Sequence, residues 1–243
     1  TMVPPALRTE SHAISAENTF PRCIRPLGLG AKRPTTFIRI SPLFFYCSTP
    51  CAVIQYERME VERMKNFFGH LKTVAHHRHL VMLGCFRVGL YRQGLTHDLS
   101  KYSPIEFWTG VQYYQGTRSP NTAEREDKGY SEAWMHHKGR NRHHFEYWTD
   151  LSPVTRVYEP VEMPRRYLAE MVMDRIAACK TYQGAAYTDA SPLAYLERAK
   201  ESRFVHPNTM AQLTYLLTML KERGEKETFR FIREVVLKGK PFG

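Results

Sequence analysis

Four histidines fall within nine consecutive positions, as the pairs His136-His137 and His143-His144 flanking Lys138-Gly139-Arg140-Asn141-Arg142. Imidazole nitrogens are good ligands for first-row divalent metals, and chance is a poor explanation for clustering this dense. On one straight helix His137 and His144 would share a face yet stand ~10.5 Å apart along the axis, too far to hold one ion. A chain that brings both pairs to one centre therefore has to reverse between them. Gly139 and Asn141 suit that turn, which would let one imidazole from each pair converge on metals ~3.5 to 4 Å apart. The segment has a second use: Lys138, Arg140 and Arg142 alternate with small residues, and Tyr147 and Trp148 can stack on bases, as in a basic, aromatic RNA-binding loop.

Other donors are spaced so that they can join the cluster. His97-Asp98 sets a nitrogen donor beside a carboxylate able to bridge two ions. Such a dipeptide recurs by chance, so its weight comes from its company. His70 and His77 lie two helical turns apart on one helix face, and either offers a further ligand, whereas His76 and His79 point elsewhere. Asp174 sits in Tyr167-Leu168-Ala169-Glu170-Met171-Val172-Met173-Asp174-Arg175-Ile176-Ala177-Ala178, a helix apolar on most sides. Burying an unpaired carboxylate there costs several kcal/mol, so it calls for a cation, either a basic side chain or a metal. Glu170, one turn earlier on the same face, is placed to stand behind the ligands.

The rest of the chain from Met59 reads as helical. Phe67, Leu71, Val74, Leu80, Val81 and Leu83 supply apolar positions at helical spacing and predict a helix over about 61–91, punctuated by Gly89 and Gly94. Ser103 as N-cap, Pro104 in the first turn and Glu106 three residues after the serine predict another, running to about Tyr114. Residues 115–127 read as a polar loop with one helical turn, placed to act as a lid. Further helices are expected over 131–137, 143–149, 163–182, 192–200, 207–223 and 225–237, with no β-sheet. The expected fold is an all-α domain over residues 59–243. Residues 1–58 are rich in Pro and Ser without sustained period, and are expected to form an irregular or disordered extension, a leader or upstream addition ahead of the pattern that Met59 and Met64 open.

The formal net charge of +11 favours an anionic partner, be it nucleic acid, a membrane surface or a phosphorylated small molecule. Lys101, Arg118, Lys138, Arg140 and Arg142 fall beside the histidines, where an anionic substrate would sit. The most apolar stretch, residues 36–56, contains Arg39, Pro42 and Pro50 and falls short of the ~20 apolar residues of a membrane span. No secretory signal opens the chain, so the reading is cytoplasmic. Five cysteines without a second closely spaced pair exclude a disulfide scaffold and a complete cysteine zinc site.

The order His77, His97-Asp98, paired histidines, Asp174 resembles the His … His-Asp … His … His … Asp arrangement of the HD superfamily of metal-dependent phosphohydrolases. More closely, the string from Gly89 to Ser103 around Thr96-His97-Asp98-Leu99-Ser100-Lys101, and His136-His137-Lys138-Gly139-Arg140-Asn141-Arg142-His143-His144-Phe145-Glu146-Tyr147-Trp148, are similar to domain-of-unknown-function family 5662, a bacterial family, from about Phe67 to the C-terminus. The superfamily resemblance implies an HD-domain-like helical bundle holding one or two divalent ions (Mn, Fe, Mg or Zn), with His77, His97, Asp98 and Asp174 as ligands and Asp98 bridging. The spacing of the two histidine pairs adds His136, His137, His143 and His144 as candidate ligands. Lys101 resembles the lysine that often follows the His-Asp pair and contacts phosphate, with Arg140 and Lys138 as further phosphate contacts. The implied activity is hydrolysis of a nucleotide or other small phosphate ester. A di-iron oxidoreductase using the same donors, and a non-enzymatic nucleic-acid-binding module, are the alternatives.

Overall fold

The computed structural model describes residues 50–198 and 204–242; most of the expected irregular extension, and the expected helix end at Lys200, lie outside the described residues. Helices dominate. Helix α1 (Pro50–Val88) begins ahead of the start near Val61 that its apolar spacing predicts. Residues 57–65 are exposed and carry Glu60–Arg63 and Glu62–Lys65 pairs, which support the helix where it buries nothing. The helix ends as expected: Gly89, at φ 87, lets its own N–H reach Phe86 O and that of Leu90 reach Cys85 O, satisfying the last carbonyls as only a left-handed residue allows.

Short α2 (Tyr91–Thr96) follows, then a 3₁₀ turn at Leu99–Tyr102 and α3 (Pro104–Gln112), capped by Ser103 with Pro104 in its first turn. The expected polar loop is instead helix α4 (Pro120–Lys128). Ser119-Pro120, which reads as turn chemistry, also supplies N-cap and first-turn residues, and the helix looks loop-like because it buries only Ala123 and Glu124. Glu124 accepts from Ser131 Oγ at 2.6 Å, Lys128 Nζ at 3.2 Å and Glu132 N–H at 3.3 Å, tying α4 to the start of α5 (Glu132–Lys138).

Two further expectations need correction after α5. Residues 143–149 are not a helix, because His144 is extended (φ −93, ψ 132) and only Phe145–Tyr147 make a 3₁₀ turn. Phe145 drops into the core and Trp148 Nε1 donates to Arg142 O at 2.7 Å. A small antiparallel sheet also forms, β1 (Thr149–Leu151) with β2 (Tyr158–Pro160), in the register Asp150 opposite Glu159. Three-residue strands carry too little alternation to be read from sequence.

Helix α6 (Arg165–Gln183) is the central element, packed chiefly on α1 and also on α7 (Ser191–Glu197) and α8 (Pro207–Phe231). A Cβ at Gly84 of α1 would lie 2.9 Å from Met173 Sδ, so any larger residue there would have to displace the Met173 side chain. Gly224, at φ 75 and ψ 175, breaks α8 where the pattern predicts a break, before a π turn at Ile232–Val236. The core joins Val81, Cys85, Leu168, Val172, Leu216, Leu217, Leu220 and Ile232. No helix among the described residues is long and apolar enough to cross a membrane.

Replacing Glu124 by Ala leaves the buried Ser131 hydroxyl and the Glu132 amide without their acceptor, and is expected to cost about 1–3 kcal/mol in chemical denaturation. Lys128→Ala, which removes only an exposed partner, should shift the midpoint far less.

Candidate metal centre

Four segments build the centre around one buried side chain: α1, residues 97–98, α5 with the reversal after it, and α6. Asp98 occupies the left-handed region at φ 52 and ψ 29, which an aspartate tolerates better than most residues. This bend, between α2 and the 3₁₀ turn, sends the His97 and Asp98 side chains into the same interior. Arg78 of α1 braces it, donating to His97 O at 2.7 Å and Leu95 O at 3.2 Å.

Each oxygen of Asp98 faces its own set of donors. Oδ2 lies 3.4 Å from His97 Nε2 and 3.9 Å from His77 Nε2, and Asp174 Oδ1 closes that set at 3.0 Å from His77 Nε2 and 3.7 Å from His97 Nε2. Oδ1 lies 3.3 Å from both His137 Nε2 and His143 Nε2, and His144 Nε2 is 2.9 Å from His137 Nε2. In each group, His77-His97-Asp98-Asp174 and Asp98-His137-His143-His144, the ligand atoms all lie within 4.8 Å of one another. The chain reverses where expected: α5 ends at Lys138, and the Arg140 and Asn141 amides both return to His137 O at 3.1 Å.

The donor chemistry fits a cation. His97 Nε2, Asp98 Oδ1 and His143 Nε2 are buried without a hydrogen-bond partner, and buried polar atoms are rarely left so unless something else satisfies them. Burial alone would push the Asp98 carboxyl up, but the charges of His97, Lys101 and His137 outweigh it and hold the group well below the usual carboxylate range. Burial is likewise outweighed at Asp174, first by the hydrogen bond and the charge of His77, 3.0 Å away. The same negative field overcomes burial at His97 and raises it to about 10, so without an ion this ring carries a second proton, one that a bound cation would displace. Burial, aided by the charges of His143 and His137, pushes His144 well below its ordinary value and keeps the ring neutral. These buried His and Asp groups are positioned to hold a metal ion.

Carboxylates stand behind the imidazoles. Glu106 faces His137 Nδ1 at 2.7 Å and His136 Nδ1 at 2.6 Å. Glu170 Oε1 lies 2.9 Å from His97 Nδ1 and 3.2 Å from His143 Nδ1. Asn141 Nδ2 donates to Ser100 Oγ at 2.8 Å, and that hydroxyl lies 3.2 Å from His137 Nδ1. Sequence reasoning missed Glu106, Ser100 and Asn141 as site residues. Glu106 does sit three residues after its N-cap as expected, but its carboxylate turns to the histidines.

His136 therefore lies outside both groups, held by Glu106, and Arg140 is exposed with Nη1 on His136 O at 3.2 Å. Lys101 Nζ is 3.3 Å from Asp98 Oδ2; burial lowers its pKa, but Asp98 and Asp174 raise it further, so it stays cationic. Lys101 and Lys138 both line a cleft of about 1110 Å³ whose floor includes His77, Asp98, His137, His144 and Asp174.

Residues 66–219 match the model of a family described as Family of unknown function (DUF5662). The chain belongs to that family. The DUF5662 match contains both donor groups and both outer carboxylates. No curated protein and no solved structure matches the chain.

Within the DUF5662 region His77 and His70 lie in different surroundings. Only His77 joins a donor group. His70 is buried between Phe107 and Tyr114, against Gly110, where a Cβ would lie 2.1 Å from its Nε2. Burial, aided by the charge of Lys101, lowers its pKa from 6.5 to about 4. The unfolded chain takes up this proton near pH 6.5 and the folded chain near 4, so the neutral ring's contribution is complete above 6.5 and is lost as pH falls. A loss on the order of 2 kcal/mol is expected between pH 7.5 and 5. His70→Leu should flatten the stability profile across that window in denaturant titrations.

Proposed function

We propose that this protein is a metal-dependent phosphohydrolase acting on a nucleotide or another small phosphate ester. The observation that carries the reading is the pair of donor groups sharing Asp98 at the floor of a cleft with cationic walls. The order of its donors, which resembles the HD superfamily, supports it further. His77, His97, Asp98 and Asp174 would hold one ion, and Asp98, His137, His143 and His144 the other. Five imidazoles and two carboxylates, with no thiolate, suit Mn, Fe or Zn better than the harder Mg.

Bound divalent ions would supply polarisation of phosphoryl oxygens and a water acidified towards neutral pH. The chain's own residues do the rest. Lys101, kept cationic beside Asp98, offers its ammonium to a phosphoryl oxygen as negative charge grows there. Lys138 and Arg125 line the same cleft and attract an anionic ester to it, while Arg118, also in its wall, is held by Glu126 through both oxygens. Asp98, held unprotonated, offers lone pairs from both oxygens without a competing proton. The second reading, a di-iron oxidoreductase, draws on the same nitrogen-rich donor set, and metal identity separates the two.

Elemental analysis of protein purified without added metal should find Mn, Fe or Zn, and the loaded protein should hydrolyse at least one member of a broad phosphate-ester panel. Asp98→Asn keeps a residue that tolerates the left-handed backbone while removing the charge. It should lose bound metal and lower kcat by at least about 10²-fold. A folded, metal-loaded wild type that is inactive on the whole panel would sink the phosphohydrolase reading, and iron with redox-sensitive absorbance would favour the oxidoreductase.

A further inference from the structure

Glu170 and Glu106 stand behind the imidazoles in different ways. Glu106 spreads its two oxygens over the neighbouring rings of His136 and His137, of which only His137 belongs to a donor group. Glu170 brings two rings to a single oxygen. His97 Nδ1 and His143 Nδ1 meet at Oε1, at 2.9 and 3.2 Å, with the two rings 4.3 Å apart between centroids. His97 belongs to the group on Oδ2 of Asp98 and His143 to the group on Oδ1, and the two rings with Glu170 make a third close set of their own, within which Oε1 already pairs with both Nδ1 atoms. Both rings also leave Nε2 buried and without a hydrogen-bond partner on the side facing Asp98.

We infer that Glu170 is a positioning residue shared by both metal subsites, an outer carboxylate that mirrors the inner bridge of Asp98 and couples the affinities of the two ions. This rests on the two-ion reading above. A carboxylate oxygen has two lone pairs, enough to accept one Nδ1–H from each ring. Each hydrogen bond fixes which nitrogen keeps its lone pair and turns Nε2 inward, and the negative charge behind the ring strengthens it as a ligand. Because one oxygen serves both rings, Glu170 cannot loosen one subsite while leaving the other intact. Its place on α6, one turn before Asp174, is set by the most buried helix of the fold, so the orienting group is as rigid as the core around it.

Calorimetric titration of the metal-free full chain with Mn²⁺ tests the coupling. Wild type should bind two ions. Glu170→Gln should weaken both by about 10- to 100-fold, whereas Glu106→Gln should weaken one and spare the other. An affinity loss in Glu170→Gln confined to one ion, or under about two-fold for both with helix content retained, overturns the inference. Long-range ¹H–¹⁵N NMR of wild type, which needs no variant to fold, should find Nδ1 protonated in both His97 and His143; an unprotonated Nδ1 in either also overturns it. A wild type that binds a single ion contradicts the two-ion reading instead, and the NMR result still decides what Glu170 does.

Discussion

The burial of Asp98 is the constraint on which the site depends. A carboxylate 1% exposed to solvent is expensive unless every lone pair finds positive charge or a donor. The fold answers that demand only in part, with charge from several directions: His77 from α1, His97 from the chain beside it, Lys101 from the following turn, and His137, His143 and His144 from α5 and the reversal after it, while Oδ1 still lacks a hydrogen bond. None of these segments can shift without exposing or orphaning the others. The bend that places Asp98 is itself a left-handed conformation, uncommon outside glycine, and such strain persists only where surrounding contacts hold it, here Arg78 gripping the carbonyls of Leu95 and His97.

Helix α6 shows how an apolar framework carries a polar centre. Leu168, Val172 and Ile176 bury one side of it in the core, while Glu170 and Asp174, one turn apart, present carboxylates to the imidazoles on the other. Polar side chains in such a helix destabilise it unless satisfied, so the site and the core make opposite demands on the same nineteen residues. Close packing settles the conflict. With α1 approaching through Gly84, the rotation of α6 is fixed by contacts such as Met173, and the carboxylates have no freedom to seek solvent.

Much of this was legible in the sequence because it rests on local rules. The break at Gly224, the cap at Ser103 and the end of α1 at Gly89 each follow from backbone preferences of a few residues. The reversal at 139–141 followed from helix rise alone, since no straight helix brings His137 and His144 together. What escaped was set by tertiary contact. Whether His136 or His137 faces inward depends on the phase of a seven-residue helix, and that phase is chosen by Glu106 and the wall behind it. Glu106 itself satisfies the spacing of a capping residue, so nothing local distinguishes that role from its actual one. Helix α4 and the β1–β2 hairpin were missed for a related reason: one is almost wholly polar, the other too short to show a period.

The two layers of carboxylates also bear on how metal and stability are linked. Without a cation, three donor atoms around Asp98 that are buried without a hydrogen-bond partner, His97 Nε2, Asp98 Oδ1 and His143 Nε2, are a standing cost to the folded state, because water would satisfy them in the unfolded chain. An ion that binds only the folded form removes that cost and adds its own binding energy, roughly 2.7 kcal/mol at a concentration 100 times its dissociation constant. The rest of the core, from Leu168 to Ile232, does not touch this balance and is apolar enough to hold the helices in place. On the proposed metal-binding reading the centre would be a preformed but under-satisfied cage: the outer carboxylates would orient the rings before any ion arrived, and the inner donors would gain their full complement of partners only when one did.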